Sequence, residues 1–485
     1  MDKLYDVIII GSGVVGNAIA REMSRYNLKI GVLEKELDVC NETSARNSGV
    51  LHAGFNNKPG TLMAKFCVEG NQGFDQVADE LGVPFKRCGK LVVGFNEEDK
   101  QKLIAMKEQG EKNGVKGLEI IGKDKIKEIE PNIDGEFAMW SKTTGILNPF
   151  LLTIALAENA AENGVEYYFA NEVIDINRID EIYNIKTVKD TYKARWVVNA
   201  AGLYSDKISK MIGIDDYTIH PCRGEYFILD EKVGSKLSLP AYPVPNPKEG
   251  GLGIHLTPTI DGNVFIGPSS EYIDERDDYS ATQKIMDLLI KDGGRIFPHI
   301  KREDFIRNFA GIRPKLASKE EGGYHDFVIE MRDEVPNTIN LVGIESPGLT
   351  SSTPIAKYVV SLLKQKEKLT ENENFNPIRK PIVTFVDKSI EEKEALIKEN
   401  PDYGEVICRC QTITKAEIIE AINNPLGVET LTGIKYRCRA MMGRCQGGYC
   451  ETRIAGLLEE VKHKNREDVI YSREGSNMFV GKVRE

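Results

Sequence analysis

The chain has 485 residues, 41% of them hydrophobic and 28% charged, with a net charge of −10 and a pI near 5.5. That length predicts two to four domains, and the acidic balance excludes nucleic acid as a main partner. No run approaches the ~18–20 consecutive apolar residues that span a bilayer, so any membrane association is peripheral.

The opening residues lead straight into Val7-Ile8-Ile9-Ile10, which leaves no room for a signal peptide and predicts a cytoplasmic chain. The glycine run Gly11-Ser12-Gly13-Val14-Val15-Gly16 follows, then a helical pattern at Ala18, Ile19 and Met23, then Ile30-Gly31-Val32-Leu33 and Glu34. Strand, glycine turn, helix, strand and acid inside ~30 residues is the layout of a dinucleotide-binding unit. Gly11 allows the tight turn, Gly13 leaves the backbone bare for a pyrophosphate, and Gly16 lets the helix pack on the strand. The helix N-terminus then faces the phosphates, and Glu34 stands where a carboxylate accepts from ribose hydroxyls.

A polar loop rich in small residues runs into Asn47-Ser48-Gly49-Val50-Leu51-His52-Ala53-Gly54. Strand residues are expected over 91–95, an amphipathic helix over 97–113 and a short helix over 126–131. A long helix is expected over 150–163, a strand over 165–173 and a hairpin within 176–188. A buried strand then delivers Asn199-Ala200-Ala201-Gly202, small residues where bulk would block a cofactor, and a helix starts at Ser205. A second substrate-side segment begins at Pro221, contains Arg223, Glu225 and Tyr226, and passes a proline-rich stretch over 240–247 to Gly253-Ile254-His255-Leu256-Thr257. Strand 263–266, helices over 281–289 and 305–316 (the latter holding Gly311 and Arg313) and strand 327–330 follow. Leu341-Val342-Gly343 then leads into Pro347-Gly348-Leu349-Thr350, with a helix over 353–365.

The glycine run, Glu34 and the segment Asn47–Gly54 together resemble the FAD-dependent amine and alcohol oxidoreductases of the D-amino-acid-oxidase type. Two branches are nearest: the L-2-hydroxyglutarate oxidases and dehydrogenases, and the FAD-dependent glycerol-3-phosphate dehydrogenases of anaerobic bacteria. The resemblance implies an α/β and α+β molecule. A discontinuous Rossmann-like FAD domain would span 1–80, 148–220 and 325–370, and a mixed-sheet substrate domain would span 81–147 and 221–324. It further implies cofactor contacts at Ser12, Val14, Lys35, Thr43, Ser44, Leu51, Val173 and Gly311, and a glycine turn by the flavin ring at Gly343, Gly348, Leu349 and Thr350. A helix N-terminus there can stabilise an anionic reduced flavin. With no second glycine unit for a nicotinamide cofactor, the dinucleotide is FAD and the electrons need a further acceptor.

Residues 371–401 read as a linker and 462–485 as a polar tail. Between them, at 402–461, five of the nine cysteines crowd together. Cys408-Arg409-Cys410 is followed by Cys445-Gln446-Gly447-Gly448-Tyr449-Cys450, and Thr414 can cap a helix over 415–423. Thiolates bind soft metals, so an iron–sulfur cluster, zinc and free thiols are all open on the residues alone, although zinc knuckles prefer Cys-x-x-Cys pairs. The stretch 443–450 resembles the bacterioferritin-associated-ferredoxin-like domain, which implies a small helical domain whose 2Fe–2S cluster is held by Cys408, Cys410, Cys445 and Cys450. Cys438 reads as a non-ligand, and Arg437, Arg439 and Arg444 as surface charge or as counter-charge to the cluster.

A bound flavin takes a hydride, and the protein supplies position and a base. His52 and His255 fall in the two motifs that should converge over the ring, and a near-neutral imidazole can take a hydroxyl proton. His220, His299, His325 and His463 read as structural or exposed. Arg313 can grip a carboxylate or phosphate bidentately, with Tyr226, Arg223 and Glu225 as pocket candidates. The expected substrate is a small anionic secondary alcohol, glycerol 3-phosphate first and a 2-hydroxy acid second. The glycerol-phosphate enzymes carry an arginine soon after their His-Gly-Gly motif, where this chain has Phe55-Asn56-Asn57-Lys58. A reading of another class is an electron-transfer subunit in which FAD only relays; either way a redox partner collects the electrons.

Overall fold

The computed structural model describes residues 3–245, 253–298 and 300–481. Its first sheet has eight strands, with Leu4–Ile10 at the centre. Val7, Ile8, Ile9 and Ile10 are all buried, because a parallel strand covered on both faces is continuously apolar rather than alternating. Ile30–Leu33 and Thr191–Asn199 flank it in parallel, with Ile9 opposite both Val32 and Val198. Val335–Val342 lies beyond, also parallel, with Asn340 opposite Asn199. Three parallel strands therefore end together, running into Gly11, Ala200 and Gly343. Ligands of open parallel sheets bind off these carboxyl ends. Helices Val14–Met23, Pro149–Glu162 and Gly348–Leu363 share one core with this sheet, built from residues such as Ile19, Met23, Leu156, Ile355 and Val359.

The second sheet has nine strands and turns on the pair His220–Leu229 and Phe305–Lys315. The helix expected over 305–316 is this strand instead. Gly311 and Pro314 both disfavour a helix interior, and antiparallel pairing sets Tyr226 opposite Phe309, their rings stacked at 4.6 Å. Two other expectations shift. The strand over 165–173 divides into Glu166–Tyr168 and the start of Val173–Ile179. The helix expected from Thr353 begins at Gly348, since its first turn, Gly-Leu-Thr-Ser-Ser, holds weak helix formers that carry no periodic signal.

The stretch read as a linker contains a helix, Ile390–Glu399, opened by a Ser389/Glu392 capping box. The C-terminal module has a two-stranded sheet, Val406–Cys408 with Ile413–Thr414, and helices Lys415–Ile422, Leu431–Cys438 and Glu451–Lys462. Thr414 caps the first of these, its side chain accepting from Glu417 N–H. The polar tail folds back on the module: Val469 is fully buried, and the Ile470 carbonyl accepts from Leu431 N–H.

Arg437 and Arg439 correct the surface-charge reading, while Arg444 stays exposed. Arg437 is fully buried and grips Asp38 at 2.8 Å and Glu158 at 3.0 Å, the latter on helix Pro149–Glu162. Arg379 holds the other oxygen of Glu158 at 2.7 Å. Arg439 reaches Asp261 and Glu231, and Arg444 reaches Asp230, all beside the second sheet. Each arginine joins the module to a carboxylate of another part of the molecule.

Candidate active site

A cavity of about 710 Å³ opens off the strand ends and takes walls from both large sheets. Gly13, Val14, Thr43, Ser44, Asn47, Ser48, Gly49, Ala200, Gly202, Gly311, Gly348 and Leu349 line it. Both Val14 and Gly348 start helices, so two helix N-termini border one space, an arrangement that suits phosphate and anionic charge. A Cβ at Gly13 would meet only Ser44 Oγ, at 3.2 Å, so this wall is open to a bulky group.

Gly11, Ser12, Gly16, Glu34, Lys35, Leu51, Val173, Ala201, Gly343 and Thr350 do not line the cavity. A Cβ at Gly11 would lie 2.6 Å from the Ala200 carbonyl, and one at Gly16 would lie 2.0 Å from that of Gly11. These glycines make the turn possible. Glu34 accepts from the backbone N–H groups of Ser12 (2.7 Å) and Glu36 (2.9 Å), and burial raises its pKa to about 7. Lys35 pairs with Glu36 and Glu42. Leu51 and Val173 are buried in apolar cores, and a side chain at Gly343 would collide with Leu316. Thr350 Oγ1 accepts the His52 N–H at 3.0 Å, tying the His52 loop to the helix that begins at Gly348.

His52, Tyr226, His255 and Arg313 meet in the same cavity. His255 is 3% exposed, and its Nδ1 lies 2.8 Å from the Gly253 carbonyl. A carbonyl only accepts, so Nδ1 carries the hydrogen and Nε2 presents its lone pair; Nε2 has no protein partner. Burial holds the ring well below the usual histidine range, with Lys90, His52 and Arg313 adding to the effect against the hydrogen bond to Gly253. His52 is pushed down to about 3 by burial and then by Lys90. Both imidazoles are therefore neutral at physiological pH. Arg313 donates from Nη2 to the Ser269 carbonyl at 2.7 Å, while its Nε has no partner.

Arg223 and Glu225 do not line the cavity. Arg223 is buried in ion pairs with Glu271 and Asp278, and Glu225 accepts from Thr282 N–H. His220, His325 and His463 also lie away from it, and His299 falls outside the described residues.

Three features escaped the sequence reading. Arg46 and Lys319 add positive charge to the cavity wall. Tyr242 lines it too and stacks on His255 with ring centroids 3.6 Å apart. Lys90 lies behind that stack, fully buried, its Nζ 3.5 Å from the centre of the Tyr242 ring and without a hydrogen-bond partner. Desolvation lowers its pKa to about 7. A lysine at the edge of an apolar strand ordinarily snorkels to solvent, so nothing in the local sequence marks this one.

The four module cysteines stand as two pairs. Thiol hydrogen bonds join Cys408 to Cys450 and Cys410 to Cys445. The first pair is buried and the second exposed. Cys408 is pushed down to about 6 by its bond from Cys450 and by backbone groups of Met441, Gln411 and Cys410, which favours thiolate. Among the described residues no three metal-ligating side chains close round one point. Two thiol pairs suit a two-iron cluster better than one tetrahedral zinc. Cys438 donates to the Ile434 carbonyl and burial pushes it up to about 12, so it is inert.

Comparison with known proteins agrees with this chemistry. Residues 6–362 match the family described as DAO, FAD dependent oxidoreductase, and residues 406–460 match the BFD-like [2Fe-2S] binding domain. A glycerol 3-phosphate dehydrogenase of Caloramator mitchellensis is 41% identical over 99% of this chain and 98% of its own. The mitochondrial L-2-hydroxyglutarate dehydrogenase of Bos taurus is 31% identical over 75% of this chain and 90% of its own. Among solved structures, the FAD-bound L-alpha-glycerophosphate oxidase of Mycoplasma pneumoniae superposes with a TM-score of 0.72, at 29% identity, over 78% of this chain and 98% of that one. No described helix is long and apolar enough to cross a membrane. The chain belongs to the DAO family of FAD-dependent oxidoreductases and carries a BFD-like 2Fe–2S domain near its C-terminal end.

Proposed function

We propose that the chain oxidises sn-glycerol 3-phosphate to dihydroxyacetone phosphate and passes the electrons to a partner through a cluster held by Cys408, Cys410, Cys445 and Cys450. The observation that carries this is the unpartnered Nε2 of neutral His255, in one cavity with Arg313 and two helix N-termini. A base, an anion clamp and a cofactor cradle are the three parts that alcohol oxidation needs. The whole-chain likeness to a glycerol 3-phosphate dehydrogenase supports the choice of substrate.

FAD, when bound, supplies the acceptor for the hydride leaving the carbinol carbon. His255 Nε2 takes the hydroxyl proton, and the Gly253 carbonyl holds the ring in the tautomer that allows this. Arg313 grips the phosphate with the face not committed to Ser269, aided by Arg46 and Lys319. Tyr226, fixed flat on Phe309, closes the wall, and His52 lies across the cavity as a second neutral donor or acceptor. Water exclusion strengthens each of these contacts.

A 2-hydroxy acid is the second reading, because Arg313 binds a carboxylate as well as a phosphate and the hydroxyglutarate dehydrogenases are also relatives. Anaerobic titration separates the two. Glycerol 3-phosphate should bleach the flavin and L-2-hydroxyglutarate should not. The reverse result replaces the substrate, and bleaching by neither overturns both readings.

A further inference from the structure

Two of the four module thiols, Cys410 and Cys445, are exposed, while Cys408 and Cys450 face the interior. Arg409 and Arg453 flank the exposed pair and converge on one ring. Their guanidinium carbons lie 4.5 and 4.6 Å from the centroid of Tyr449. The two positive charges thus stand within about 9 Å of each other, close to one screening length at physiological salt. Neither has a carboxylate partner among the described residues. Arg444 beside them is held by Asp230. The whole chain carries a net charge of −10, so these unpaired arginines stand out on an acidic protein. Unrelieved like charge around an aromatic side chain matches what interface centres are made of, Arg and Tyr together.

Arg437 and Arg439 fasten the module to Asp38, Glu158 and Asp261, and beside that seam Arg409 and Arg453 remain exposed. We propose that Arg409, Tyr449 and Arg453, around the exposed Cys410 and Cys445, form the docking surface for a small acidic one-electron carrier protein of the ferredoxin or flavodoxin kind. This rests on the electron route of the proposed function. Each alcohol oxidised releases two electrons, so two carriers dock in turn per substrate, each leaving with one. Opposite charge across the contact speeds encounter and makes it salt-sensitive.

The test uses holoenzyme with flavin and cluster both loaded, and a small acidic ferredoxin as probe. Dithionite-reduced ferredoxin is mixed with oxidised holoenzyme in a stopped-flow, and cluster reduction is followed at rising salt. The expected second-order rate falls steeply with salt, and R409E/R453E lowers it at least about tenfold at low salt, R409Q/R453Q by less. Cytochrome c, a basic carrier, should not lose rate in either variant. Flavin bleaching by glycerol 3-phosphate is read separately and should be unchanged, so failure of the substrate reading and failure of this surface are distinguishable. A ferredoxin rate indifferent to salt and to both variants overturns the proposal. So does loss of co-sedimentation with anionic phospholipid vesicles in the variants while the ferredoxin rate holds, which would assign the face to a membrane surface.

Discussion

The two redox sites of this molecule sit in opposite surroundings. In the cavity His255 is 3% exposed, Lys90 is fully buried, and both imidazoles are held neutral. In the module, two of the five thiols, Cys410 and Cys445, stand at the surface. Removing a hydride and a proton together requires fixed groups and little water, because every electrostatic contact weakens in high dielectric. Passing on a single electron needs no contact with substrate, only proximity to a partner. On the proposed function, the chemistry that moves protons is buried and the chemistry that passes single electrons is exposed.

The largest expected effect breaks the buried side of this contrast. His255→Gln keeps a planar polar group beside Tyr242 but cannot take a proton. The rate of flavin reduction by substrate should fall ~10²–10⁴-fold, the usual worth of a positioned general base, with flavin content and the module's EPR signal unchanged. A variant that reduces flavin at full rate removes His255 as the base. Next comes the seam between the two sites. Arg437→Met strands Asp38 in the interior and leaves Glu158 with Arg379 alone. Removing one partner of a buried ion pair costs ~3–5 kcal/mol, read as a lower urea midpoint. If stability is unchanged, the module is not held by this contact.

The sequence displayed the cofactor side more fully than the seam. Gly11, Gly13 and Gly16 each answer to a local backbone need, and local needs leave a local pattern. His255 stands in a segment, Gly253–Thr257, that is marked by family resemblance, and its hydrogen bond to the Gly253 carbonyl is likewise local. The strand at Phe305–Lys315 carries apolar spacing that fits a helix equally well, and only Pro314 forbids one there. Arg437 could not be read at all. Its partners lie 399 and 279 residues away, and an arginine bound for a buried carboxylate looks like any other arginine. Lys90 is the same case, because its burial is decided by Tyr242 and Phe55, two rings brought over it from distant strands and loops.

Lys90 supplies the smallest and most specific effect, because it asks what the dry side of the molecule costs. The folded amine gives up its proton near pH 7 and the unfolded one near 10.5. Between those values the unfolded chain holds one proton more, so stability climbs with pH, by up to about 1.4 kcal/mol per pH unit from this group. Lys90→Met removes the titration and keeps the stem's packing against Phe55 and Tyr242. The difference in unfolding free energy, wild type minus Lys90→Met, should therefore be lowest at and below pH 7 and rise toward pH 10. At pH 7 the methionine variant should be the more stable, since it no longer confines an amine without a hydrogen-bond partner. A flat difference across that window means that Lys90 keeps its proton in the folded protein. The wall behind Tyr242 and His255 would then hold a permanent positive charge, and the low basicity of His255 would follow from that charge as much as from burial.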